Sequence, residues 1–176
     1  MEDLQELIKN CIRNDRLSQK KLYMKFYPAL FLLCKRFFAD DHEALEALND
    51  GMLKVYKKIG LYDPQKGEFF NWVYTIIRHT VLDKIRLNRQ PPVTELHDDY
   101  SLVLTDNIFQ SLDHKDLYQL LDKLSPRTRV VCSLFYLEGL TIKDISHDLQ
   151  MSTGTVKWHL SEARSRLRPV MKKYFS

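Results

Sequence analysis

The stretch from Thr141 to Leu160 constrains the fold of this chain most, because it holds two separately capped helices with a short turn between them. Thr141 and Asp144 form a capping pair at the start of a first helix, which ends near Leu149. Ser152 caps the second helix. Helices joined by so few residues cross steeply and pack on each other. The spacing therefore predicts a helix-turn-helix.

The second of these helices is expected to read DNA, since such helices lie in the major groove. Its core-facing side should consist of Val156, Leu160, Ala163 and Leu167. Residues 151–176 contain six basic residues and one acidic residue, a balance that favours a polyanionic partner. The alternative is an amphipathic helix packed within an all-α core.

Eight residues of this helix and its cap are the candidate contacts with duplex DNA. They are Ser152, Thr153, Thr155, Lys157, Trp158, Ser161, Arg164 and Arg168. Early positions should contact base edges, and the helix N-terminus favours a phosphate. Trp158 has two interpretations, a thymine-methyl contact or packing on the neighbouring helix. His159 is interpreted as a polar contact, because no second metal ligand lies at a suitable spacing.

The rest of the chain is expected to be α-helical as well. Only five glycines and six prolines interrupt it, and apolar residues recur at helical spacing between them. The predicted helices cover residues 3–14, 17–38, 40–59, 68–88, 113–124 and 125–138. Asp40 should cap the third of these and Gly60 should end it, while Pro28 should kink or split the second.

Charge divides the chain into three parts. Residues 1–90 carry 16 basic and 12 acidic residues, and residues 117–176 carry ten basic and five acidic ones. Residues 91–116 between them carry one basic and six acidic residues. Two basic blocks suit nucleic acid, although a solvated helical surface is an equal alternative. We predict a helical domain at 1–90, an acidic linker at 91–111 and a second domain at 112–176.

Several function classes are excluded by what the sequence lacks. Three cysteines lie far apart in apolar surroundings, which predicts buried free thiols, no zinc site and a reducing, cytoplasmic setting. The N-terminus lacks the basic start of a signal peptide, and no run of 18 apolar residues could span a membrane. The acid pairs at 40–41 and 98–99 do not converge on one site, and no phosphate loop or nucleophile elbow is present. We therefore expect neither an enzyme nor a cofactor.

Four segments resemble extracytoplasmic-function (ECF) sigma factors of the sigma-70 family, and together they cover most of the chain. They are LYMKFYPAL at 22–30, ALEALNDGMLKVYKKI at 44–59, YDPQKGEFFNWVYTIIRHT at 62–80, and residues 117–168. The first is similar to the family's opening helix, and the second to the helix that docks on the clamp helices of the polymerase largest subunit. The third is similar to the loop and helix that open the minus-ten element. The fourth is similar to region 4, which reads the minus-thirty-five element.

The resemblance implies an all-α fold, with a sigma region 2 domain and a four-helix sigma region 4 domain joined by the linker. It implies a sigma factor, which binds core RNA polymerase and directs promoter-specific transcription initiation. The implied partners are the polymerase clamp helices, the flap of its second subunit, promoter DNA and an anti-sigma factor. The residues implied to bind polymerase are Asn49, Asp50, Met52, Leu53 and Tyr56. Those implied to bind the minus-ten element are Tyr62, Lys66, Trp72, Arg78, His79 and Arg86.

The chain departs from the family pattern at five positions. Asn49 stands where glutamine is usual, Leu45 where an acid is usual and Met52 where an aromatic residue is usual. His79 replaces a common asparagine, and Gln150 replaces the usual glycine of the turn. These changes indicate a divergent subgroup.

Aromatic residues around the loop at 60–67 support the minus-ten role separately, because an unstacked base needs a ring face and a basic groove to hold it. Tyr62 and Lys66 are the better candidates for nucleotide contact, since binding residues are commonly found on loops. Phe69 and Trp72 are more consistent with the core.

A conventional transcriptional regulator is the alternative function. TVKWHL at 155–160 also resembles the output domain of two-component response regulators, which would act without polymerase docking. A receiver domain in the first half would alternate strands and helices around an acidic pocket. Residues 1–90 are predicted to be all-helical, which favours the sigma factor.

Overall fold

The computed structural model describes residues 3–87 and 114–171, and eight α-helices account for most of them. In chain order they are α1 (Leu4–Ile12), α2 (Arg16–Phe37), α3 (Asp41–Lys58), α4 (Phe69–Leu87), α5 (His114–Leu121), α6 (Pro126–Cys132), α7 (Ile142–Leu149) and α8 (Thr153–Met171). Neither described stretch contains a strand, which confirms the predicted all-α fold.

The described residues form two compact units, residues 3–35 with 40–87 and residues 36–39 with 114–171. The first unit contains α1, most of α2, α3 and α4, and the second contains α5 to α8. The predicted domain boundaries and the linker at 91–111 lie outside the described residues.

Asp40 begins α3, as predicted. Its Oδ1 atom accepts hydrogen bonds from the backbone N–H groups of His42 at 2.8 Å and Glu43 at 3.0 Å. The bond from Glu43 is the main reason why the pKa of the Asp40 carboxyl lies below its ordinary value. The ionised carboxylate is therefore the form that caps the helix.

The sequence predicts two breaks in the first unit, a kink or split of α2 at Pro28 and the end of α3 at Gly60. α2 is not split at Pro28. A proline removes one backbone donor, and the burial of Leu22 and Leu30 on either side holds the helix together. α3 ends at Lys58 with Ile59 as its C-cap, so Gly60 follows the helix as its predicted stop, although the chain leaves α3 through a 3₁₀ turn at Ile59–Leu61 and not through a left-handed glycine.

α3 and α4 approach each other closely at Gly51. A Cβ atom at this position would lie 2.5 Å from Cδ1 and 3.3 Å from Cα of Ile77. Leu48 and Val55 of α3 and Val73 of α4 are fully buried around this contact. The missing side chain therefore lets the two helices pack at short range, which sets where the outer side of α3 lies relative to α4.

We expect Gly51→Val to destabilise the first unit by about 1–3 kcal/mol, because a branched side chain would displace Ile77 or a helix. Urea unfolding followed by the fluorescence of Trp72, in a Trp158→Phe background, would measure the change. Gly60→Val is the control, since a Cβ atom at Gly60 meets nothing within 4 Å. Equal unfolding midpoints for the two variants would contradict close packing at Gly51.

The core of the second unit draws on all four of its helices. Leu120 and Leu121 of α5, Val131 of α6, Ile145 of α7 and Leu160 of α8 are completely buried. This shared core holds α7 and α8 in position, so the outer side of α8 is determined by packing rather than by the helix alone.

The helix predicted over 125–138 is present, but its second half is π-helical. α6 ends at Cys132, and a π-helical turn at Ser133–Leu137 continues the chain to Glu138. Gly139 then turns the chain with a left-handed φ of 70°, which supports its predicted role as the stop. The predicted end of the last helix at Tyr174 lies outside the described residues.

Cys11, Cys34 and Cys132 are buried free thiols, as predicted. Burial raises the pKa of Cys11 to about 11 and that of Cys34 to about 12, so both stay protonated at neutral pH. Over residues 3–87 and 114–171, no helix combines the length and the apolar character needed to cross a bilayer. The same residues contain no cluster of three or more His, Cys, Asp or Glu side chains that could hold a metal ion.

Candidate functional site

α7 and α8 form the helix-turn-helix that the sequence predicts. The N–H of Asp144 donates to Thr141 Oγ1 at 3.2 Å, and the N–H of Thr141 donates back to Asp144 Oδ2 at 3.1 Å. Gln150 adopts a left-handed conformation with φ 50° and ψ 50°, which explains why glycine suits this turn. The Ser146 hydroxyl donates to the carbonyl of Met151 at 2.6 Å and so ties the turn to α7.

α8 buries the side that its apolar spacing predicts. Val156, Leu160, Ala163 and Leu167 are all completely buried. Ser152 Oγ accepts a hydrogen bond from the N–H of Thr155 at 3.0 Å and caps the helix, as predicted. The cap and the core together determine which residues of α8 face outward.

Five of the candidate DNA contacts share one side of α8, because their spacing follows the helical repeat. They are Thr153, Lys157, Ser161, Arg164 and Arg168. Arg168 is exposed, and Thr153, Lys157 and Ser161 are half-buried. We call these five residues, with the capping Ser152, the α8 face.

Arg164 also makes contacts inside the second unit. Its Nε donates to the hydroxyl of Tyr136 at 2.8 Å, and its guanidinium lies 6.0 Å from the centre of that ring. Thr155 supports the cap, with its hydroxyl oxygen 2.9 Å from Ser152 Oγ. Trp158 is half-buried and meets the ring of His159 edge-on at 4.8 Å between centroids. The contacts of these three residues therefore help to hold α8 and its N-terminal cap in place.

His159 lies behind the α8 face and is 5% exposed. Its Nδ1 lies 3.0 Å from Thr128 Oγ1, which in turn accepts a hydrogen bond from the Ser125 hydroxyl at 2.9 Å. Burial, together with a smaller effect of the charge of Arg127, lowers the pKa of His159 to about 4. The ring is therefore neutral at neutral pH and links α8 to α6, which confirms the predicted polar contact.

Tyr62 closes the loop between α3 and α4. Its hydroxyl donates to the carbonyl of Gly67 at 2.9 Å. Its ring meets Phe69 edge-on, with centroids 4.9 Å apart, and lies 5.7 Å from the ring of Trp72. Phe69 is 3% exposed and belongs to the core, as predicted, whereas Trp72 is half-buried. The structure thus brings Tyr62 and Trp72 together.

Lys66 extends from the same loop, and its side chain is 84% exposed. Its ammonium lies 3.9 Å from the carboxylate of Asp63, a distance that leaves it available to a phosphate. Asp63 Oδ1 also accepts a hydrogen bond from the N–H of Gln65 at 2.9 Å, which caps the turn at Pro64–Lys66. The loop therefore presents a cation on a short capped turn.

The outward side of α4 carries Trp72, His79 and Arg86, which follow one another at seven-residue intervals and so share one side. His79 is exposed, and Arg86 is half-buried with Nη1 3.2 Å from Asp83 Oδ1. Arg78 lies about a third of a turn away from this side, so the structure does not group it with the other three. We call Trp72, His79 and Arg86 the α4 face.

The candidate polymerase contacts divide into two sets. Asn49, Leu53 and Tyr56 share one side of α3, and Leu53 is 53% exposed. Asn49 Oδ1 accepts a hydrogen bond from the Tyr23 hydroxyl at 2.9 Å. The Tyr56 hydroxyl donates to the carbonyl of Gln19 at 2.8 Å. We call Tyr23, Asn49, Leu53 and Tyr56 the α2–α3 face.

Met52 and Asp50 lie elsewhere. Met52 is 2% exposed and packs in the core, so its side chain is not part of the surface that the resemblance implies. Asp50 turns toward α4, where its carboxylate lies 3.7 Å from the ammonium of Lys84. Glu46 contacts the same ammonium at 2.7 Å. These two acids therefore belong to an ion-pair row between α3 and α4.

Three residues that support these surfaces were not predicted as functional from the sequence. Tyr23 contacts Asn49 across 26 residues, and no local pattern signals that pairing. Asp83 pairs with Arg86 one turn along α4, and tertiary packing also brings its carboxylate within 3.6 Å of the ammonium of Lys54. Gly67 has a left-handed φ of 141°. Its role in the turn could have been predicted locally, because it ends a loop made of turn residues.

The chain is similar to proteins of one family. The models for Sigma-70 region 2 and for Sigma-70, region 4 match residues 22–90 and 114–167. The ECF RNA polymerase sigma factor SigW of Bacillus subtilis is 25% identical, over 94% of this chain and 95% of its own. SigE of Mycolicibacterium smegmatis is 26% identical over 90% of this chain, which spans 63% of that relative's length. Two solved structures are also similar. The structure of CnrH in complex with the cytosolic domain of CnrY has a TM-score of 0.47 and 17% sequence identity, and the match covers 95% of this chain and 96% of that one. The structure of the sigma factor RpoE in complex with the anti-sigma factor NepR from Bartonella quintana has a TM-score of 0.46 and 21% sequence identity, and the match covers 87% of this chain and 96% of that one.

Proposed function

This chain belongs to the sigma-70 family as an ECF sigma factor, and we propose that its first unit binds core RNA polymerase and an unpaired promoter base while its second unit reads duplex DNA upstream. The proposal is carried by one observation. The region 2 and region 4 matches follow each other along the chain, and the second includes a capped helix-turn-helix with a basic outer side. In this proposal the chain supplies recognition in the cytoplasm, and polymerase supplies the catalysis.

A regulator of the response-regulator output type is not favoured. Its receiver domain would alternate strands and helices, whereas the described part of the first half, residues 3–87, is helical. Residues 22–90 match region 2 instead.

The α2–α3 face is the proposed docking surface for the clamp helices of the polymerase. Leu53 offers exposed apolar area, while Asn49 and Tyr56 beside it are held by hydrogen bonds to α2. A surface whose side chains are already ordered loses little conformational entropy on binding. Contact of the second unit with the polymerase flap, and control by an anti-sigma factor, are proposed from family membership.

The α4 face and the loop at 62–67 are the proposed minus-ten site. The half-buried Trp72 ring offers a surface on which an unpaired base can stack, worth about 1–3 kcal/mol. The exposed Lys66 would meet a phosphate of the same strand, and His79 is exposed about two turns further along the same side of α4. Asp83 pairs with Arg86 and lowers the positive charge at the far end of this face.

The α8 face is the proposed reader of the upstream element. Thr153, Lys157 and Ser161 lie near the start of α8, where side chains reach base edges in the major groove. The capped N-terminus at Ser152 favours a phosphate, and the exposed Arg168 would contact the backbone further along.

Reconstitution with core RNA polymerase tests the proposed function. Core polymerase with the chain, given genomic DNA, should start transcripts at a defined set of promoters, as read by sequencing of the 5′ ends. Core polymerase alone should not select those sites. Specific promoter protection by the chain alone, with no effect on where polymerase starts, would support the regulator instead.

We expect Lys157→Ala to weaken binding to the upstream element by about 1–3 kcal/mol, because Lys157 would lose a contact with a base edge. Footprinting of the polymerase complex on promoter DNA would measure the loss. Lys123→Ala, an exposed lysine in the turn between α5 and α6, is the control and should leave protection unchanged. Full protection by the Lys157 variant would remove this residue from the proposed reader.

A further inference from the structure

Tyr62 holds both ends of the loop between α3 and α4. The residue itself opens the loop, and its hydroxyl reaches across to the carbonyl of Gly67, 2.9 Å away, where the loop ends. Inside this closure Asp63 caps the N–H of Gln65 at 2.9 Å. The loop is therefore closed by one side-chain hydrogen bond and braced by a second.

The ring of Tyr62 is also held in place, by contacts with two other rings. It meets Phe69 edge-on at 4.9 Å with the planes 84° apart, and it lies 5.7 Å from Trp72. Phe69 is 3% exposed and Trp72 lies 5.7 Å from it, so the three rings form one cluster rooted in the core. A ring held at this position has little freedom to move out and stack on a nucleotide.

Gly67 shows that the closed shape depends on backbone conformation. Its φ of 141° lies in the region that other residues rarely adopt, and a Cβ atom there would meet nothing within 4 Å. Glycine is therefore required by the backbone geometry and not by lack of space. The same residue supplies the carbonyl that Tyr62 holds.

We infer that Tyr62 is a positioning residue, which shapes the loop in advance so that Lys66 can contact the displaced promoter strand beside Trp72. The inference rests on the proposed function and deepens it, because it assigns Lys66 and Trp72 to the nucleic acid and Tyr62 to the loop. The physical reason is preorganisation: a loop that is already closed loses less conformational entropy when it binds.

Tyr62→Phe isolates the hydroxyl, since it keeps the ring against Phe69 and removes only the bond to Gly67. With core polymerase and promoter DNA carrying 2-aminopurine in the minus-ten element, the equilibrium constant for strand opening should fall by about two- to tenfold, the effect of one hydrogen bond. Polymerase affinity and upstream protection should stay at the wild-type level. Tyr27→Phe, another half-buried tyrosine of the first unit, is the control.

Salt dependence separates positioning from contact. Lys66→Ala should lower strand opening and also flatten its dependence on salt, because a phosphate contact is lost. Tyr62→Phe should lower opening and leave the salt dependence unchanged. Gly67→Ala, which strains the backbone at φ 141°, should behave like the tyrosine variant. Unchanged opening by Tyr62→Phe would overturn the inference.

Amide hydrogen exchange in the free protein gives a measurement that does not depend on polymerase. Tyr62→Phe should speed exchange at the N–H of Gln65, which the closed loop protects through Asp63. Unchanged exchange there would overturn the positioning role even if the chain proves to be a sigma factor. Faster exchange in a chain that fails to direct transcription would instead uphold the loop geometry and reject the proposed function.

Discussion

The Leu53→Asp variant should lose affinity for core RNA polymerase by about 2–4 kcal/mol, or roughly 30- to 700-fold in the dissociation constant. Leu53 is 53% exposed and lies on α3 between Asn49 and Tyr56. An apolar side chain at the centre of a docking surface is buried by the partner. An aspartate in its place would have to lose its water without gaining a partner.

Leu32→Asp is the matched control for this experiment. Leu32 is an exposed leucine of the first unit, and it lies nine residues from Tyr23 on α2, which places it on the opposite side of that helix. Fluorescence anisotropy of labelled chain titrated with core polymerase would give both affinities. Urea unfolding of each variant would show that the fold is retained. Wild-type affinity for Leu53→Asp would exclude the α2–α3 face as the docking surface.

The second large effect is a loss of stability in acid that depends on His159. The second unit should lose about 3 kcal/mol through this one group as the pH falls from 6.5 to 4. Burial, with the charge of Arg127, lowers the folded pKa of His159 to about 4, while Glu162 acts in the opposite direction. Above pH 6.5 the ring is neutral in both states, and its contribution is fully present.

The direction of this change in stability follows from proton uptake. Between pH 6.5 and 4 the unfolded chain binds a proton at His159 and the folded chain does not, so acid favours unfolding. Protonation would also place a charge beside Thr128, behind α8. We therefore expect binding to the upstream element to weaken only as the pH approaches 4, where the folded chain begins to bind this proton.

His159→Gln should remove this pH dependence, because glutamine keeps an acceptor for the Thr128 hydroxyl and does not titrate. Urea unfolding from pH 7.5 to 4.5, followed by Trp158 fluorescence in a Trp72→Phe background, would measure the second unit alone. Trp158 is a suitable reporter because its ring lies 4.8 Å from His159. Identical pH slopes for wild type and variant would show that His159 is not the responsible group.

Local signals predicted much of the second unit. The capping box of Thr141 and Asp144, the cap at Ser152 and the buried side of α8 all appear as predicted. Each depends on residues within about four positions of one another, where backbone geometry leaves few alternatives. The left-handed turn at Gln150 was foreseeable for the same reason, since glycine is usual there.

Predictions that depended on a single residue type gave less detail. The sequence left open whether Pro28 kinks or splits α2, and the structure shows that the helix is not split. Burial of Leu22 and Leu30 on either side outweighs the cost of a proline inside a helix, which is about 3 kcal/mol. Gly60 follows the end of α3 as predicted, but the chain leaves through a 3₁₀ turn and not through a left-handed one.

The amino-acid sequence was enough to predict the helices, the caps at Asp40, Thr141 and Ser152, the helix-turn-helix and the family to which the chain belongs. Which polar side chains on each helix face are already engaged depends on tertiary packing. Tyr23 with Asn49, Thr128 with His159 and Tyr136 with Arg164 lie 26, 31 and 28 residues apart. Helix formation depends on neighbours along the chain, whereas these contacts depend on how helices pack, and packing brings together residues that no local pattern connects.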